Sequence, residues 1–326
     1  MRIILLLAFI SSPFIYSSSN LLADDNATIK NTFSLEKGRK QGFFTYQIGG
    51  LVTDSAGATR LHFPLSELRF PLNVDTVQVS YLLQKSDWRL SMTYQENIDS
   101  DAGHMEDRDW GVNYLDDPNS GASLDSLDIY SESRSRLSSQ EWSIEVDTKL
   151  QMKSVDAFLR LFPIHLGVGL LGQEYRYNTF DLVQSYPSAP LQQIDKVDGK
   201  VLSYRTKLLL PYISIEIEPQ IHRSLNFNLK FMFSPLVQIS DYDNHILRDK
   251  QSWGETDGLG FLMQMDLGWK MTSYFELFVL FNYEHVQSSG QQIQESLESG
   301  SLERFKVHLE HISEQYNAFA GARISF

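Results

Sequence analysis

The sequence predicts an all-β protein, a transmembrane antiparallel β-barrel of about ten strands with long extracellular loops. Three observations predict this fold. Apolar and polar residues alternate with a period of two in many segments, and short turns alternate with long polar connections. The chain also opens with an export signal, and no later stretch is apolar enough to cross a membrane as a helix.

The N-terminal residues have the layout of a secretory signal peptide. Arg2 precedes an apolar run from Ile3 to Tyr16, and the acidic pair Asp24-Asp25 follows. The run is shorter than the roughly 20 residues that a transmembrane helix needs. Cleavage after Ala23 and cleavage earlier, in the serine-rich stretch, both remain open. We predict a signal peptide over residues 1–23, an N-terminal periplasmic segment over 24–40 and a barrel over 41–326.

The composition favours a barrel over a soluble periplasmic protein, which the length would also permit. Aromatic residues make up 12% of the chain, yet the mean hydropathy is −0.26. This combination is expected when each strand has one lipid-facing and one wet face. The formal net charge of −13 argues against nucleic acid as a partner and fits cationic ligands. The absence of cysteine excludes a disulfide scaffold.

Four segments show the alternation most clearly. In the first, from Trp142 to Met152, every second residue is mostly apolar, while Glu145, Asp147 and Lys149 stand between them. The other three are Leu225–Phe233, Phe261–Lys270 and Phe275–Tyr283. Charges at every second position are hard to bury in a soluble sandwich but are stable in a hydrated lumen. A soluble β-sandwich is the alternative fold.

The pattern predicts a set of strands joined alternately by short turns and long loops. The strands are Gly42–Asp54, Arg60–Arg69, Thr76–Gln84, Trp88–Asn97, Gln140–Met152, Ala157–Tyr177, Leu202–Glu216, Leu225–Ile239, Gly258–Lys270, Tyr274–Val286 and Tyr316–Phe326. An even total requires two of the early segments to form one long strand. Pro64, Pro71 and Pro211 are expected at bulges or strand ends.

The long polar connections are expected to form the extracellular loops. They are Ile98–Ser139, Asp181–Lys200, Ser240–Asp257 and Gln287–Glu310. His308 falls in the last of them and His311 directly follows it. We expect both side chains to be solvated; a metal site there would require a helical loop. Short joins such as Lys85–Asp87, Lys153–Asp156 and Met271–Ser273 would then be periplasmic turns.

Two acidic motifs in these loops could carry chemistry. Asp107 and Asp109 have i, i+2 spacing, so at the end of an extended strand both carboxylates point to one side and could hold a water molecule. The same spacing puts Asp243 beside His245. A carboxylate fixes the tautomer of the imidazole and supports its positive form, which suits a general base. Solvated turn residues are the alternative interpretation of each pair.

Taken together, the motifs resemble a known family. Met105-x-Asp-x-Asp-Trp110, followed much later by Ser240-Asp-x-Asp-x-His245, is similar to the pattern around the active site of the omptins, a family of outer-membrane endopeptidases. The segments Leu65–Phe70, Gln173–Tyr177 and Pro211–Ile213 are similar to further omptin segments. The resemblance covers roughly Tyr46 to Phe326.

The resemblance implies a ten-stranded barrel with its active site in an extracellular groove. Asp243 and His245 would form a catalytic dyad, and Asp107 and Asp109 a facing carboxylate pair, with attacking water between them. No metal and no covalent intermediate would be needed. Asp241 matches a residue that binds the substrate, so peptide or protein substrates, cationic ones above all, are the expected partners.

The resemblance also implies that lipopolysaccharide is required for activity and that outer-membrane lipid is a partner. Glu174 and Arg176 match the lipopolysaccharide site, and Lys207 stands where the family has an arginine. A lysine keeps the charge but loses the bidentate fork. A strand-end residue that reaches for the lipid headgroups is the alternative interpretation of Arg176.

Two other functions are compatible with the same barrel. One is a non-catalytic adhesin or structural surface protein, in which the four motif residues would not converge. The other is a porin, which needs an open lumen rather than one crossed by ion pairs among Glu145, Lys149, Lys230 and Asp266.

Overall fold

The computed structural model describes residues 29–53, 57–117, 122–150, 162–219, 222–296 and 303–326. Within these ranges the chain is almost entirely extended. The strands are β1 (Ile29–Thr53), β2 (Thr59–Pro71), β3 (Val74–Lys85), β4 (Trp88–Asn97), β5 (Asp101–Trp110), β6 (Leu127–Lys149), β7 (Ile164–Ser185), β8 (Asp195–Ile217), β9 (Leu225–His245), β10 (Lys250–Lys270), β11 (Phe275–Ser296) and β12 (Glu303–Ser325).

Helical structure is confined to two short pieces of the described chain, a single turn of α-helix, α1 (Val112–Asp116), and a 3-10 turn at Ile246–Arg248. None of the described helices is long and apolar enough to cross a membrane. The predicted signal peptide over residues 1–23 lies outside the described residues.

All described strands join one antiparallel sheet that closes into a ring. Each strand from β6 to β12 pairs with the next, and β12 pairs back to β1, with Phe33 opposite Ile324. An antiparallel sheet without free edges is the architecture in which every backbone donor and acceptor finds a partner inside lipid. The predicted all-β barrel is therefore confirmed, and the soluble sandwich is excluded.

The twelve described strands occupy ten positions around this ring. β1 pairs with β3 through its lower half and with β2 through its upper half, so β2 and β3 follow each other in one position. β6 pairs in the same way with β4 below and β5 above. The predicted count of about ten strands, with early segments forming one strand position, agrees with this arrangement.

Gly42 lies where the neighbour of β1 changes from β3 to β2. Its φ is +125°, a conformation that L side chains rarely adopt, and an added Cβ would lie 2.0 Å from the carbonyl oxygen of Glu314. Its own carbonyl accepts a hydrogen bond of 3.0 Å from the backbone N–H of Leu72, in the short connection between β2 and β3. A residue without a side chain is therefore required at this junction.

The strands are much longer than a membrane requires. β1 has 25 residues and β6 has 23, whereas about 9–11 residues span a bilayer as a tilted strand. Short turns at 86–87 and 271–274 mark one end of the barrel, which we call the lower end; α1 and the 3-10 turn mark the upper end. The upper half of the barrel thus rises beyond any membrane around its lower half.

Because the strands are this long, the prediction of long loops is wrong for most of their residues. Ile98–Ser139 contains β5 and half of β6, Asp181–Lys200 and Ser240–Asp257 are mostly strand, and β11 and β12 extend through much of Gln287–Glu310. Above the membrane the outward face of a strand becomes polar, so the period-two signal disappears although the strand continues. The periplasmic segment predicted over 24–40 is wrong from residue 29 onward, because β1 begins at Ile29. The predicted turn at 153–156 lies outside the described residues.

The lower half has an apolar belt on its outer wall. Its exposed side chains include Trp142, Ile144, Val146, Phe231, Phe233, Phe261, Met265, Leu267, Leu277 and Val279. They come from the four segments in which the sequence alternates most clearly, and they form the surface that faces lipid in an outer-membrane barrel.

The lumen of the lower half is filled by ion pairs. Lys230 Nζ lies 2.5 Å from Glu145 Oε2, and Arg323 pairs with Asp266. Arg89 forms a larger cluster, with Nε 2.7 Å from Asp147 Oδ1 and NH2 2.7 Å from Glu216 Oε2. Lys149, which was predicted to cross the lumen, is exposed instead.

A layer of packed aromatic rings lies above these ion pairs and below the upper rim. We call it the aromatic floor: Phe44, Tyr46, Phe70, Tyr177 and Tyr204, all of them buried. Phe70 stacks on Tyr204 with ring centroids 4.5 Å apart and an interplanar angle of 9°. Because this floor belongs to the core, the barrel is closed beneath its upper mouth.

Candidate active site

Asp107 and Asp109 lie on β5, near the upper end of the barrel. Both side chains point inward and are buried, while the residues between and beside them are more exposed. Asp107 stands opposite Leu68 of β2 and Ser131 of β6. The i, i+2 spacing therefore places the two carboxylates on one inner face, as the sequence predicted.

Asp243 and His245 are the last inward-facing residues of β9. His245 Nε2 lies 2.8 Å from Asp243 Oδ2, and Asp243 is 0% exposed. Tyr204 of β8 and Ser252 of β10 stand opposite Asp243 on the neighbouring strands. The pair therefore lies at the rim of the mouth, directly above the aromatic floor.

A β-bulge in β9 is what turns this pair inward. Between Ser234 and Val237 the strand advances by three residues while β10 advances by two, from Gly260 to Gly258. Below the bulge the odd-numbered side chains, such as Phe231 and Phe233, face outward; above it the odd-numbered side chains face inward. Extra residues of this kind commonly re-aim side chains near active sites.

The two pairs face each other across the mouth. Three strands, β6, β7 and β8, separate β5 from β9 around the ring. The charges of Asp109, His245 and Asp243 all act on the carboxyl of Asp107, so the four groups form one electrostatic unit. The motif residues that the sequence singled out thus converge at the upper end of the barrel.

Burial controls the ionisation of Asp107. Loss of hydration, followed by the neighbouring charge of Asp109, raises the pKa of Asp107 from 3.8 to about 7. Its Oδ1 atom is buried and has no hydrogen-bond partner among the described residues. At neutral pH this carboxyl can therefore hold or release a proton, and it has an unused position for a polar ligand atom.

Two basic residues in the site were missed from the sequence. Arg248 Nη2 lies 3.4 Å from Asp109 Oδ2, and Lys250 stands directly opposite His245 at the start of β10. Burial lowers the pKa of Lys250, with a further contribution from Arg248. They return to the site only because the turn after His245 is very short, and that turn was hidden inside a predicted long loop.

Asp241 lies one step below Asp243 on the same inner face of β9. Its Oδ2 atom is 2.7 Å from His311 Nε2, and it accepts a hydrogen bond of 3.2 Å from the hydroxyl of Tyr204. The side chains of Asp241 and His311 are both 0% exposed. The expectation of a solvated His311 is wrong, because β12 extends through this part of the chain and points the ring inward.

Glu174, Arg176 and Lys207 lie on neighbouring strands, and Arg176 is exposed on the outer wall. Arg176 Nε donates to Glu174 Oε1 at 2.7 Å, and Lys207 stands opposite Glu174. Arg205, which the sequence interpretation missed, also donates to Glu174 Oε1, at 2.6 Å, and stands directly opposite Arg176. Glu174 therefore holds two exposed arginines side by side.

The described residues contain no cluster of three or more histidine, aspartate or glutamate side chains arranged to hold a metal ion.

A closed antiparallel ring with an apolar outer belt and a charged lumen defines an integral β-barrel of the Gram-negative outer membrane. The profile of the Omptin family matches residues 65–313, far more than half of the chain. The chain belongs to the omptin family. This membership places it among the omptin-like outer-membrane proteases.

A solved structure shows the same fold, and two further ones are matched with lower scores. The outer-membrane protease OmpT from Escherichia coli is 14% identical, with 95% of this chain and 100% of that chain covered and a TM-score of 0.72. The translocator domain of the autotransporter NalP from Neisseria meningitidis is 9% identical, over 93% of this chain and 90% of that chain, with a TM-score of 0.38. OprG from Pseudomonas aeruginosa is 7% identical, over 91% of this chain and 96% of that chain, also with a TM-score of 0.38. No curated relative matches the chain.

Proposed function

We propose that the protein is a surface endopeptidase that hydrolyses peptide bonds with the Asp243–His245 dyad and the Asp107/Asp109 pair. The observation that carries the proposal is the convergence of a buried carboxylate pair with an imidazole that lies 2.8 Å from a third buried carboxylate, at a mouth closed from below. A peptide that crosses the mouth would pass between the two pairs.

The dyad supplies the base. Nε2 of His245 lies 2.8 Å from Asp243 Oδ2. In the proposed mechanism this ion pair keeps the proton on Nε2 and leaves the lone pair of Nδ1 to take a proton from water. Water attacks the scissile carbonyl carbon while His245 removes its proton. The imidazolium, stabilised by Asp243, then gives this proton to the amide nitrogen as the C–N bond breaks.

The carboxylate pair positions the water. With a pKa of about 7, Asp107 can hold or release a proton near neutral pH, so it can donate to or accept from a water molecule bound beside Asp109. Arg248 offsets part of the negative charge on Asp109. The proposal needs no metal ion and no covalent intermediate.

The closed interior argues against the porin alternative. Ion pairs such as Lys230–Glu145 and Arg323–Asp266 cross the lower lumen, and the aromatic floor packs above them. The adhesin alternative offers no reason for buried, incompletely paired carboxylates, which cost free energy in a barrel that only displays a surface.

Cationic peptides are the substrates that the charge distribution favours. Exposed carboxylates surround the upper end, namely Asp116, Asp117, Asp125, Asp195, Asp198 and Asp249. A rim of this charge steers basic peptides toward the mouth and raises their association rate. Cleavage is therefore expected in peptides rich in basic residues.

Lipopolysaccharide is the lipid that we propose at the outer wall. Arg176 and Arg205 stand directly opposite each other, and the single carboxylate of Glu174 offsets only one of their two positive charges. A phosphate would complete the charge balance begun by Glu174, and guanidinium groups bind phosphate with a bidentate geometry. Lys207 would add a third positive charge to the same headgroup.

The test is cleavage of a quenched fluorescent peptide that contains Arg-Arg by refolded protein with lipopolysaccharide. We expect His245→Ala and Asp107→Ala each to lower kcat/KM by about 100-fold or more. Asp101→Ala, an exposed carboxylate at the start of β5, is the matched control and should retain activity. Wild-type protein that cleaves nothing in a broad peptide library, or folded variants that cleave normally, would show that the catalytic proposal is wrong.

A further inference from the structure

The Asp241–His311 pair is enclosed on every side that the described residues form. Tyr204 donates to Asp241 Oδ2, and the other carboxylate oxygen, Oδ1, points towards Gly254 of β10. An added Cβ on Gly254 would lie 2.4 Å from that oxygen and 2.4 Å from the side chain of Leu309. Close packing against a glycine therefore seals the second side of the carboxylate.

His311 is held as firmly as its partner. Thr256 Oγ1 lies 3.0 Å from His311 Nδ1, and the ring of Phe44 lies 5.2 Å from the imidazole. Thr256 is in turn hydrogen-bonded to Ser288 at 2.7 Å. Both ring nitrogens of His311 have partners, so the imidazole is fixed against Asp241.

This pair lies where a substrate side chain would arrive. Asp241 is the next inward-facing residue below Asp243, about 7 Å further down the strand. A side chain directed from the scissile bond into the barrel would meet Tyr204 and Tyr46 of the aromatic floor first. Asp241 Oδ2 is already bonded to His311 and Tyr204, and its side chain is out of contact with solvent. Oδ1 has no hydrogen-bond partner among the described residues, but it is buried against Gly254.

We propose that His311 is a specificity-determining residue. Its imidazole is bonded to Asp241 in the buried interior, and this bond prevents the carboxylate from binding a basic side chain of the substrate. The inference rests on the proposed endopeptidase function. The acidic rim still attracts cationic peptides as a whole, but the residue beside the scissile bond is not selected for positive charge. Peptides with an uncharged residue at that position are cleaved as well as peptides with arginine.

Two matched peptides that differ only in the residue before the scissile bond, arginine or norleucine, test this. For wild-type protein in lipopolysaccharide-containing vesicles, we expect kcat/KM values for the two peptides within about threefold of each other. His311→Ala opens space beside Asp241 and frees its Oδ2 atom. The ratio of arginine to norleucine should then rise by about tenfold or more.

Further variants separate specificity from damage to the fold. His311→Gln keeps an N–H donor and should leave the ratio near that of wild type. Adding Asp241→Asn to His311→Ala should abolish the gained preference. His308→Ala is the control on the same strand, since that side chain pairs with Glu310 away from the interior. A wild-type preference for arginine of about 100-fold that Asp241→Asn removes would overturn the proposal.

A binding measurement keeps this test distinct from the test of catalysis. The same two peptides, labelled with fluorescein, are titrated against protein that carries His245→Ala, and their affinities are compared with and without His311→Ala. An arginine preference that appears only with His311→Ala supports the proposal whether or not the wild type cleaves. Equal affinities in all variants, or an arginine preference already present without it, would contradict the role of His311.

Discussion

Asp107 is the residue of the site whose ionisation the folded barrel opposes. Burial, followed by the charge of Asp109, raises its pKa to about 7, so the native state binds this proton more tightly than the unfolded chain does. Between about pH 4 and about pH 7 the wild type therefore loses stability as the pH rises. Above about pH 7 the folded protein bears the full free-energy cost of ionising the buried Asp107 carboxyl.

Replacing Asp107 with asparagine removes this cost. We expect Asp107→Asn to be more stable than wild type at about pH 8, by on the order of 3 kcal/mol, and the difference to vanish below about pH 4. Urea unfolding of the reconstituted protein at several pH values measures it. Asp101→Asn, an exposed change on the same strand, is the control and should show no such pH dependence. A difference for Asp107→Asn that is constant with pH would contradict the explanation.

At the scale of the element, irregularities in the strands position the site. The bulge in β9 changes the phase of the alternation, so Asp243 and His245 face the interior although Phe231 and Phe233, of the same parity, face lipid. Gly42 in β1 lets the neighbour change from β3 to β2, which places β2 and then β5 at the mouth. The geometry of the proposed active site depends on such local departures from a regular sheet.

The junction at Gly42 can be tested directly. Gly42→Ala combines a positive φ with a Cβ 2.0 Å from a backbone oxygen, so we expect a loss of at least about 2 kcal/mol in the free energy of unfolding. Gly50→Ala, on the same strand, is the control, since an added Cβ there meets nothing closer than 4.0 Å. Urea midpoints of the two refolded variants decide the question; equal midpoints would show that β1 relaxes freely at this junction.

At the scale of the whole molecule, a lipid-embedded lower half carries a protease mouth well above the membrane. Val279 is 53% exposed, midway along the apolar run of β11, and Leu51 is 74% exposed near the upper end of β1. The two outward side chains are both apolar and accessible. Because Val279 lies in the lower half and Leu51 in the upper half, Val279 faces lipid and Leu51 faces water.

Arginine at these two positions measures where the membrane ends. Val279→Arg should lower the free energy of unfolding in lipid by about 2–4 kcal/mol, because a charge there lies in the hydrocarbon. Leu51→Arg should cost less than about 0.5 kcal/mol, as for an ordinary surface change. Denaturant titrations in phospholipid vesicles give both values. Equal costs would mean that the upper half also lies in lipid.

The sequence predicted the fold class and the catalytic candidates for separate physical reasons. Alternation with a period of two is strong wherever one strand face meets lipid, so the lower strands, their outward residues and interior charges such as Glu145 and Lys230 were predictable. The four motif residues were found because their side-chain types and spacing suit acid–base chemistry and resemble the omptin pattern. These four residues meet in space only because the sheet closes into a ring.

Only the tertiary structure decided the upper half. Above the membrane the outward face is polar and the inner face mixes polar with apolar residues, so β5 and the upper parts of β11 and β12 looked like loops although their hydrogen-bonded ladders continue. The contacts of Asp241 with His311 and of Asp109 with Arg248 join distant or turn-hidden positions that no local pattern connects. The sequence by itself determined a barrel and the residue types of the proposed active site. Closure of the ring and the strand register decided which side chains meet, because both depend on pairing between distant segments.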